Sequence, residues 1–339
     1  MSEAPDLSIL IVTWNVRELV LACLRSIVAD RGAPPLEVIL VDNASEDGTV
    51  EAVVEHFPSV RVLANRQNVG FPRANNQALA LARGRHVLYL NPDTEVYPGT
   101  LSACMTELDG NADIGLVGCR LEYADGRIQY ECARTMYRFR HLVFELLYLH
   151  MFFPRSRIFG SHLMGDWDHR GRRDVEGVTG AFMMVPREVA SGVGGLPEEV
   201  FMYHEDLALC LRIQRSGRRL RYLGDVGAVH HSGQSSRKSS ARLALLDVEC
   251  KHRFIQEADG PAWGAAARVV LGVRALLRIA VGLVGMLVPA RWKQRYPRVF
   301  DMGVYWLQLR WCFSPSSVAA HLPRAPELRS EPIRLGAWT

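Results

Sequence analysis

Cysteine pairs are missing from this sequence. Seven cysteines are scattered over 339 residues, and no Cys-x-x-Cys occurs. This excludes the usual zinc-ligand spacings and the disulfide framework of a small secreted domain. We therefore expect free thiols in a reducing compartment. The first residues, MSEAPDLS, also lack a basic segment before an apolar run, so we expect no signal peptide and a cytoplasmic location.

Two nucleotide-binding motifs and a strong net charge are also missing. Neither Gly-x-Gly-x-x-Gly nor Gly-x-x-x-x-Gly-Lys-[Ser/Thr] follows the first apolar run, which argues against dinucleotide cofactors and P-loop chemistry. A net charge of only +4 with 48% hydrophobic residues excludes a disordered chain. The chain is long enough to bury a sizeable core.

The small net charge is a sum of two unlike parts. Residues 264–339 carry 11 basic and 3 acidic side chains, a net charge of +8, and the other residues carry a net charge of −4. A duplex-DNA reader would place its positive charge on the recognition domain, so we expect no nucleic-acid partner. This charge pattern favours a soluble domain followed by a basic segment, residues 264–339, that binds an anionic surface.

The first hundred residues alternate apolar runs with stretches of helical spacing. Continuous apolar, β-branched runs predict four buried strands, over residues 7–13, 37–41, 60–63 and 86–90. Helical spacing predicts three helices, over residues 16–29, 49–57 and 68–82, the last capped by Asn68. This alternation predicts an α/β fold with a mostly parallel sheet flanked by helices.

Polar residues follow each predicted strand. Ligands of such sheets bind beyond the carboxyl ends of the strands, where Asp42 and Asp93 stand. A carboxylate there can hydrogen-bond a nucleobase or ribose, or hold a divalent cation. A turn or helix cap is the structural alternative for either aspartate, and for one aspartate alone it is the more common use.

Three further stretches could carry chemistry. Asn68 and Gly70 precede a helix whose N-terminus could receive a phosphate. Asp206 lies in the first turn of a predicted helix, where the helix dipole favours the ionised form that a general base requires. His230 could complete a metal site begun by Asp93. Helix capping, or an ordinary loop histidine, is the alternative reading for these stretches.

Taken in order along the chain, these stretches resemble the family 2 glycosyltransferases of GT-A fold, in particular the bacterial rhamnosyltransferase-like branch. The resemblance covers about residues 7–240. The matching stretches are IVTWN (residues 11–15), VDNASEDG (41–48), NVGF through Asn76 (68–76), LNPD (90–93), TGA (179–181), GGLPE (194–198), HED with LCLR (204–212) and HHSG (230–233).

The resemblance implies roles for residues on the donor side. Thr13 and Asn15 would lie along the nucleoside, and Asp42 with Asn43 would meet the base. Asn91-Pro92-Asp93 stands where the family has its Asp-x-Asp motif, so Asp93 would bind Mg²⁺ or Mn²⁺, with His230 as a further ligand. Residues that would shape the nucleotide-sugar site are Asn68, Gly70, Asn76 and Asn91.

On the acceptor side, the resemblance implies that Asp206 is the general base and that Gly180 and Glu205 line the sugar and acceptor space. The implied enzyme is an inverting hexosyltransferase of cell-surface polysaccharide synthesis. It would move L-rhamnose from dTDP-L-rhamnose to a hydroxyl of a glycan or polyprenyl-linked glycan. Two alternatives stay open: a UDP-hexose or UDP-N-acetylhexosamine donor on the same fold, or a non-catalytic, membrane-associated module that binds sugar nucleotides.

The sequence departs from the family pattern at two points. Asn91 replaces the first aspartate of the Asp-x-Asp motif, which removes one anionic metal ligand. The Gln-x-x-Arg-Trp motif of processive members is absent, so we expect a non-processive enzyme. Both departures leave Asp93 and Asp206 in place.

The basic segment completes the predicted organisation. We expect a catalytic domain over residues 1–250, with a nucleotide-binding half (1–110) and an acceptor half (111–250), and a helical extension over 251–339. Within residues 265–290 the longest uncharged run has 12 residues, short of the roughly 20 that a spanning helix needs. This favours an interfacial helix whose arginines meet anionic headgroups, at the inner face of the cell membrane. A helical subdomain packed on the core is the alternative.

Overall fold

A computed structural model of the chain describes residues 4–231, 240–285, 302–314 and 333–334. The described residues form two units. The first comprises those within 1–136, 155–235 and 327–339, and the second those within 137–154 and 236–326. This division differs from the predicted boundary at residue 250, because residues 137–154 and the helix beginning at Ser240 belong to the second unit.

The first unit is built on one mixed sheet of ten strands. Their bounds are β1 Leu7–Thr13, β2 Leu36–Asp42, β3 Arg61–Ala64, β4 His86–Leu90, β5 Thr94–Val96, β6 Ile114–Glu122, β7 Arg172–Val175, β8 Phe182–Pro186, β9 Arg219–His230 and β10 Ile333–Arg334. All seven residues of β1 are buried, which confirms the prediction that its continuous apolar run is a central strand.

The sheet changes character halfway across. Its strand order is β10-β3-β2-β1-β4-β8-β6-β9-β5, with β7 paired to β9. Strands β3, β2, β1 and β4 are parallel, as predicted. Beyond them β8 runs antiparallel to both β4 and β6, and β5 and β7 run antiparallel to β9. The first half is parallel because each connection there carries a crossover helix, whereas β8 follows a long excursion that imposes no direction.

Helices cover the sheet and connect its strands. Those of the first unit are α1 Arg17–Ala29, α2 Thr49–His56, α3 Phe71–Leu81, α4 Thr100–Gly110, α7 Arg187–Gly192 and α8 Glu205–Arg215. Helix α3 begins three residues later than predicted, because Asn68 is not its cap. The Asn68 Oδ1 atom instead accepts a hydrogen bond from the Gly70 amide, 3.0 Å away, in the turn before the helix.

The second unit is helical. Its helices are α5 Phe139–Leu146, α6 Leu149–Phe152, α9 Ser240–Asp259, α10 Pro261–Gly285 and α11 Met302–Phe313. Helix α10 packs against α5, α9 and α11, around a core of Ala275, Ile279 and Leu309. Among the described helices, no segment combines the length and the apolar character required to span a membrane.

Candidate active site

Thr13 and Asp42 form a buried polar pair at the carboxyl ends of β1 and β2, where they are direct partners in the strand register. Each is at most 2% exposed. The Thr13 Oγ1 and Asp42 Oδ1 atoms are enclosed and have no hydrogen-bond partner, while Asp42 Oδ2 accepts from the Ser45 amide at 2.8 Å. Burial raises the pKa of Asp42, against the hydrogen bonds from Ser45 that lower it. Unsatisfied buried groups of this kind suit a ligand with its own donor and acceptor.

Two neighbouring asparagines hold the loops around this pair. Asn15 has a positive φ of 54°, which asparagine tolerates, and its Oδ1 accepts a hydrogen bond from the Glu46 amide at 2.8 Å. Asn43 donates to the Gly70 carbonyl at 3.3 Å and accepts from Asn65 at 3.0 Å. Both side chains therefore serve the protein's own backbone or side chains, and their contact with a nucleoside stays a prediction.

Gly70 lies against the loop that leads into α8. Its φ is +90°, and a Cβ atom placed there would approach the Phe201 carbonyl oxygen to 2.9 Å. The Phe71 amide donates to that same carbonyl at 2.9 Å. The missing side chain thus makes room for protein backbone, and the role of Gly70 in the nucleotide-sugar site stays a prediction.

Asn76 fastens a second part of the same loop. Its Oδ1 accepts from the Leu196 amide at 3.0 Å, and its Nδ2 donates to the Leu196 carbonyl at 2.9 Å and to Glu198 Oε1 at 3.0 Å. Both ends of the amide are occupied by this loop. Asn76 therefore holds this loop in place in the described structure, and its role in the nucleotide-sugar site stays a prediction.

Asp93 and His230 come together across β5 and β9. The Asp93 Oδ1 and His230 Nε2 atoms are 3.3 Å apart, and both residues are buried. The Gln129 amide nitrogen donates to the His230 carbonyl at 2.6 Å. Its Oε1 atom is therefore the acceptor in the 2.8 Å contact with His230 Nδ1, which places the ring hydrogen on Nδ1. This arrangement leaves the Nε2 lone pair facing the carboxylate, and a cation between them would satisfy both groups.

The ligand set of this pair fits a metal that also binds substrate. Among the residues that the structure describes, no third histidine, cysteine, aspartate or glutamate joins Asp93 and His230. Asn91 is adjacent, with its Nδ2 3.5 Å from His230 Nε2, and an amide flip would bring its oxygen to the same place. Mg²⁺ is commonly held by one or two carboxylates plus substrate phosphates, so two protein ligands are compatible with Mg²⁺ or Mn²⁺.

Asp206, in the first turn of α8, is held by three donors. Its Oδ2 accepts from Arg134 Nη2 at 2.6 Å and from the Gly180 amide at 3.0 Å, and its Oδ1 accepts from the Leu207 amide at 2.7 Å. Burial on its own would raise the pKa of Asp206. The positive charge of Arg134 and these hydrogen bonds outweigh burial and lower it.

Glu205, the preceding residue, has the opposite environment. Its Oε2 atom is enclosed and has no hydrogen-bond partner. Burial and the negative charge of Asp206 raise the pKa of Glu205 to about 8. Gly180 lies against both carboxyls, since a Cβ atom placed there would be 3.5 Å from Asp206 Cβ and 4.0 Å from Glu205 Oε1. Two adjacent carboxyls whose pKa values are pushed apart are typical of acid–base sites.

Short contacts connect these groups into one site. The Asn91 amide donates to the Ala181 carbonyl at 3.1 Å, which places the metal-side residues beside Gly180 and its bond to Asp206. At the other end, Asn43 contacts Gly70, and Gly70 contacts the loop before Glu205. The structure therefore brings the strand-end residues and the α8 carboxyls to one edge of the sheet.

Sequence reasoning missed Arg134 and Gln129. Arg134 lies in a stretch, CARTM, that matched no pattern, and its partner Asp206 is 72 residues away. Gln129 lies just before a short 3₁₀ turn and meets His230 from 101 residues away. No local signal marks either residue, because their importance comes only from what they contact.

The fold is the GT-A fold of solved glycosyltransferase structures. A mannosyltransferase from Pyrobaculum calidifontis in complex with GDP-Man and Mn²⁺ has a similar structure, with a TM-score of 0.53 at 18% identity, covering 93% of this chain and 89% of that one. S. aureus TarS (residues 1–349) in complex with UDP-GlcNAc has a TM-score of 0.50 at 17% identity, covering 91% of this chain and 92% of that one.

The family model of glycosyl transferase family 2 matches residues 8–167 of the chain. Among curated relatives, the N-acetylglucosaminyl-diphospho-decaprenol L-rhamnosyltransferase of Mycobacterium tuberculosis is 27% identical over 252 residues. That match covers 70% of this chain and 80% of the relative. The family and fold expected from the ordered motifs are thereby confirmed.

Proposed function

We propose that this protein is an inverting, non-processive glycosyltransferase that moves L-rhamnose from dTDP-L-rhamnose to a hydroxyl of a glycan or lipid-linked glycan. Its setting would be bacterial cell-surface polysaccharide synthesis. The observation that carries the proposal is the Asp206 carboxylate, buried and held by three donors, at the same sheet edge as the unsatisfied Thr13–Asp42 pair. The Asp206 carboxylate is suited to accept a proton, and the Thr13–Asp42 pair is suited to hydrogen-bond a nucleobase.

The Thr13–Asp42 pair would bind the base. The imide N–H of thymine or uracil can donate to Asp42 Oδ1, and the Thr13 hydroxyl can donate to a neighbouring base carbonyl. Both protein atoms lack partners in the structure, so the contacts would satisfy groups that are otherwise costly to bury.

Asp93 and His230, with the Asn91 side chain beside them, would hold Mg²⁺ or Mn²⁺ on the donor diphosphate. The bound metal would supply neutralisation of the charge that develops on the departing diphosphate. Gln129 would keep the Nε2 lone pair of His230 free for this contact.

Asp206 would act at the acceptor. Its carboxylate takes the proton as the acceptor O–H bond breaks, the acceptor oxygen forms the new bond to the anomeric carbon, and the bond from that carbon to the diphosphate oxygen breaks. A single displacement of this kind inverts the anomeric centre. The depressed pKa of Asp206 keeps this group ionised at neutral pH, ready to receive the proton.

The identity of the donor sugar is proposed from sequence similarity to one relative. The M. tuberculosis relative is named as an N-acetylglucosaminyl-diphospho-decaprenol L-rhamnosyltransferase. The imide N–H and carbonyl that the Thr13–Asp42 pair would contact occur in both thymine and uracil, so this pair does not identify the donor. UDP-hexoses and UDP-N-acetylhexosamines are therefore the competing donors.

The second unit would bring the enzyme to a membrane that carries a lipid-linked acceptor. One face of α10 is exposed and apolar along most of its length, and it includes Val269 (67% exposed), Leu276 (50%) and Leu283 (54%).

The three arginines of α10 were expected to meet headgroups, but they contact their own unit. Arg268 donates to the Cys312 carbonyl, Arg274 lies 3.8 Å from Glu145, and Arg278 stacks on Tyr148. Membrane attraction would therefore come from the apolar face, and the basic stretch at residues 291–296 lies outside the described residues.

Donor binding and transfer test the proposal directly. Purified protein is mixed with Mg²⁺ or Mn²⁺ and dTDP, UDP, dTDP-L-rhamnose or UDP-sugars, and thermal shift, donor hydrolysis and transfer to a lipid-linked acceptor are measured. We expect dTDP to stabilise the protein more than UDP does, and Asp206→Asn to bind donor but lose turnover by about 10²–10⁴-fold. Thr13→Val should weaken nucleotide binding, whereas Thr106→Val on α4 should not. The proposal fails if no sugar nucleotide is bound or turned over.

A further inference from the structure

The two carboxyls that open α8 are chemically alike but differently partnered. Asp206 has Arg134, the Gly180 amide and the Leu207 amide as donors. Glu205 presents an enclosed Oε2 atom to which nothing donates. Because a buried anion needs donors or a counter-charge, the local geometry supports one negative charge on this pair rather than two.

Arg134 decides which carboxyl carries that charge. Its Nη2 atom donates both to Asp206 Oδ2 and to the Val178 carbonyl at 2.9 Å, and the Arg134–Asp206 pair is largely shielded from solvent. The backbone of Arg134 is itself fixed by a bridge to Gly177, three residues before Gly180. The guanidinium is therefore anchored beside Asp206.

The charges that act on this pair agree with the geometry. For Glu205, burial and then the negative charge of Asp206 raise the pKa, and they outweigh the backbone hydrogen bonds at Glu205 and Tyr203 and the positive charge of Arg134. Asp206 feels Arg134 and His204 as favourable charges. The pKa values of the two carboxyls are pushed in opposite directions as a result, upward for Glu205 and downward for Asp206.

We infer that Arg134 is a positioning residue that assigns the single negative charge of the Glu205–Asp206 pair to Asp206, and that Glu205 stays a neutral carboxylic acid which donates a hydrogen bond to a sugar oxygen. This inference deepens the proposed function and rests on it for the identity of the ligand. In the transfer step Asp206 receives the acceptor proton, and Glu205 keeps its own proton throughout. A neutral acid at this place can hold a hydroxyl oxygen without adding charge that would oppose the ionised base.

The protonation state of Glu205 can be measured without assaying sugar transfer. Infrared difference spectra of the full-length wild type minus Glu205→Gln, taken at pH 7, should contain a carbonyl band of a protonated carboxylic acid. That band should disappear as the pH is raised past the pKa of Glu205. Absence of the band at pH 7 overturns the inference, whatever the enzyme transfers. Presence of the band in a protein that uses no sugar donor would leave the charge assignment standing and count against the proposed function alone.

Activity measurements on the same variant, Glu205→Gln, give a second test. Because glutamine is uncharged and keeps a hydrogen-bond donor, Glu205→Gln should lower sugar transfer at pH 7 by about fivefold, far less than Asp206→Asn does, and it should not show the alkaline decline that we expect of the wild type. Glu205→Leu removes the donor and should cost about tenfold. A loss in Glu205→Gln as large as that in Asp206→Asn would make Glu205 the base and overturn the inference.

The positioning role of Arg134 needs a readout that a structural role would not change. Removing the guanidinium in Arg134→Met leaves burial of Asp206 unopposed, so the acidic limb of kcat/KM should move to higher pH. Arg134→Lys restores a cation and should move the limb back towards the wild-type position. An unchanged pH profile in folded Arg134→Met, with only a lower rate, would contradict the assignment.

Discussion

Asp93 Oδ1 lies 3.3 Å from His230 Nε2, at the point where β5 and β9 pair Thr94 with His230. The two residues are 137 positions apart and meet only because β5 returns antiparallel along β9. Their contact would allow a motif with one aspartate replaced by Asn91 to keep a metal site. The second protein ligand would then come from a strand end far along the chain.

The orientation of His230 should control metal affinity. Gln129→Leu removes the acceptor for Nδ1, which frees the ring to turn or change tautomer, and should weaken metal binding by about 10–100-fold. Titration of Mn²⁺ in the presence of nucleotide, followed by electron paramagnetic resonance of the free ion, measures this affinity. Gln67→Leu, at an exposed position, is the matched control. Equal Mn²⁺ affinity in the two variants would show that Gln129 does not act through His230.

The contact between Gly70 and Phe201 should matter for both folding and turnover. Gly70→Ala places a Cβ 2.9 Å from the Phe201 carbonyl oxygen and forces alanine to a φ of +90°. We expect a loss of about 1–3 kcal/mol in stability from the backbone conformation, with further loss from the contact. Because the displaced loop leads into Glu205 and Asp206, the turnover rate should fall too.

A second glycine separates these two effects. Gly99 also has a positive φ, +81°, but a Cβ there would meet nothing within 4 Å. Gly99→Ala should therefore lower the melting temperature and leave turnover unchanged. Similar turnover losses in the two variants would argue that the Gly70 contact has no part in positioning the carboxyls.

The stability of the protein should depend on pH through Glu205. Its pKa is raised to about 8 in the folded protein, from an ordinary value near 4.5, so the folded state holds a proton that the unfolded state releases in between. The contribution of Glu205 to the free energy of unfolding is therefore highest at acidic pH and declines as the pH rises towards 8. Glu205→Gln cannot lose that proton, so its stability relative to the wild type should increase over this window.

Urea denaturation at pH 5, 7 and 9 measures this difference. Glu51→Gln is the control, because Glu51 is exposed and the substitution should give a difference that does not vary with pH over this range. If the stability of Glu205→Gln follows the wild type at all three pH values, Glu205 is ionised in the folded protein.

The apolar face of α10 should be responsible for any binding to lipid. A double variant, Leu276→Glu with Leu283→Glu, places charge on two exposed positions of that face and should release the protein from vesicles of anionic and neutral phospholipid in a flotation assay. Val28→Glu changes a 70% exposed apolar residue of α1 and should have no effect. If wild-type protein does not float at all, or if the double variant instead separates a dimer into monomers, the face serves another contact.

The sequence by itself determined the framework of the site. The apolar runs of β1, β2 and β4 predicted the parallel core of the sheet, because a strand buried on both faces must be apolar throughout. Parallel strands align their carboxyl ends, so the sequence alone places Asp42 and Asp93 at the same end of the sheet. The order of the motifs was enough to indicate the family.

Only the tertiary structure decided how the polar groups are used. Arg134 meets Asp206 across 72 residues, Gly70 makes room for Phe201, and the arginines of α10 contact their own unit. Spacing along the chain reports which face a residue occupies on its own helix or strand, and it does not report what another segment brings to that face. The charge of a carboxyl depends on such partners, which is why Glu205 and Asp206 look alike in the sequence and differ in the folded protein.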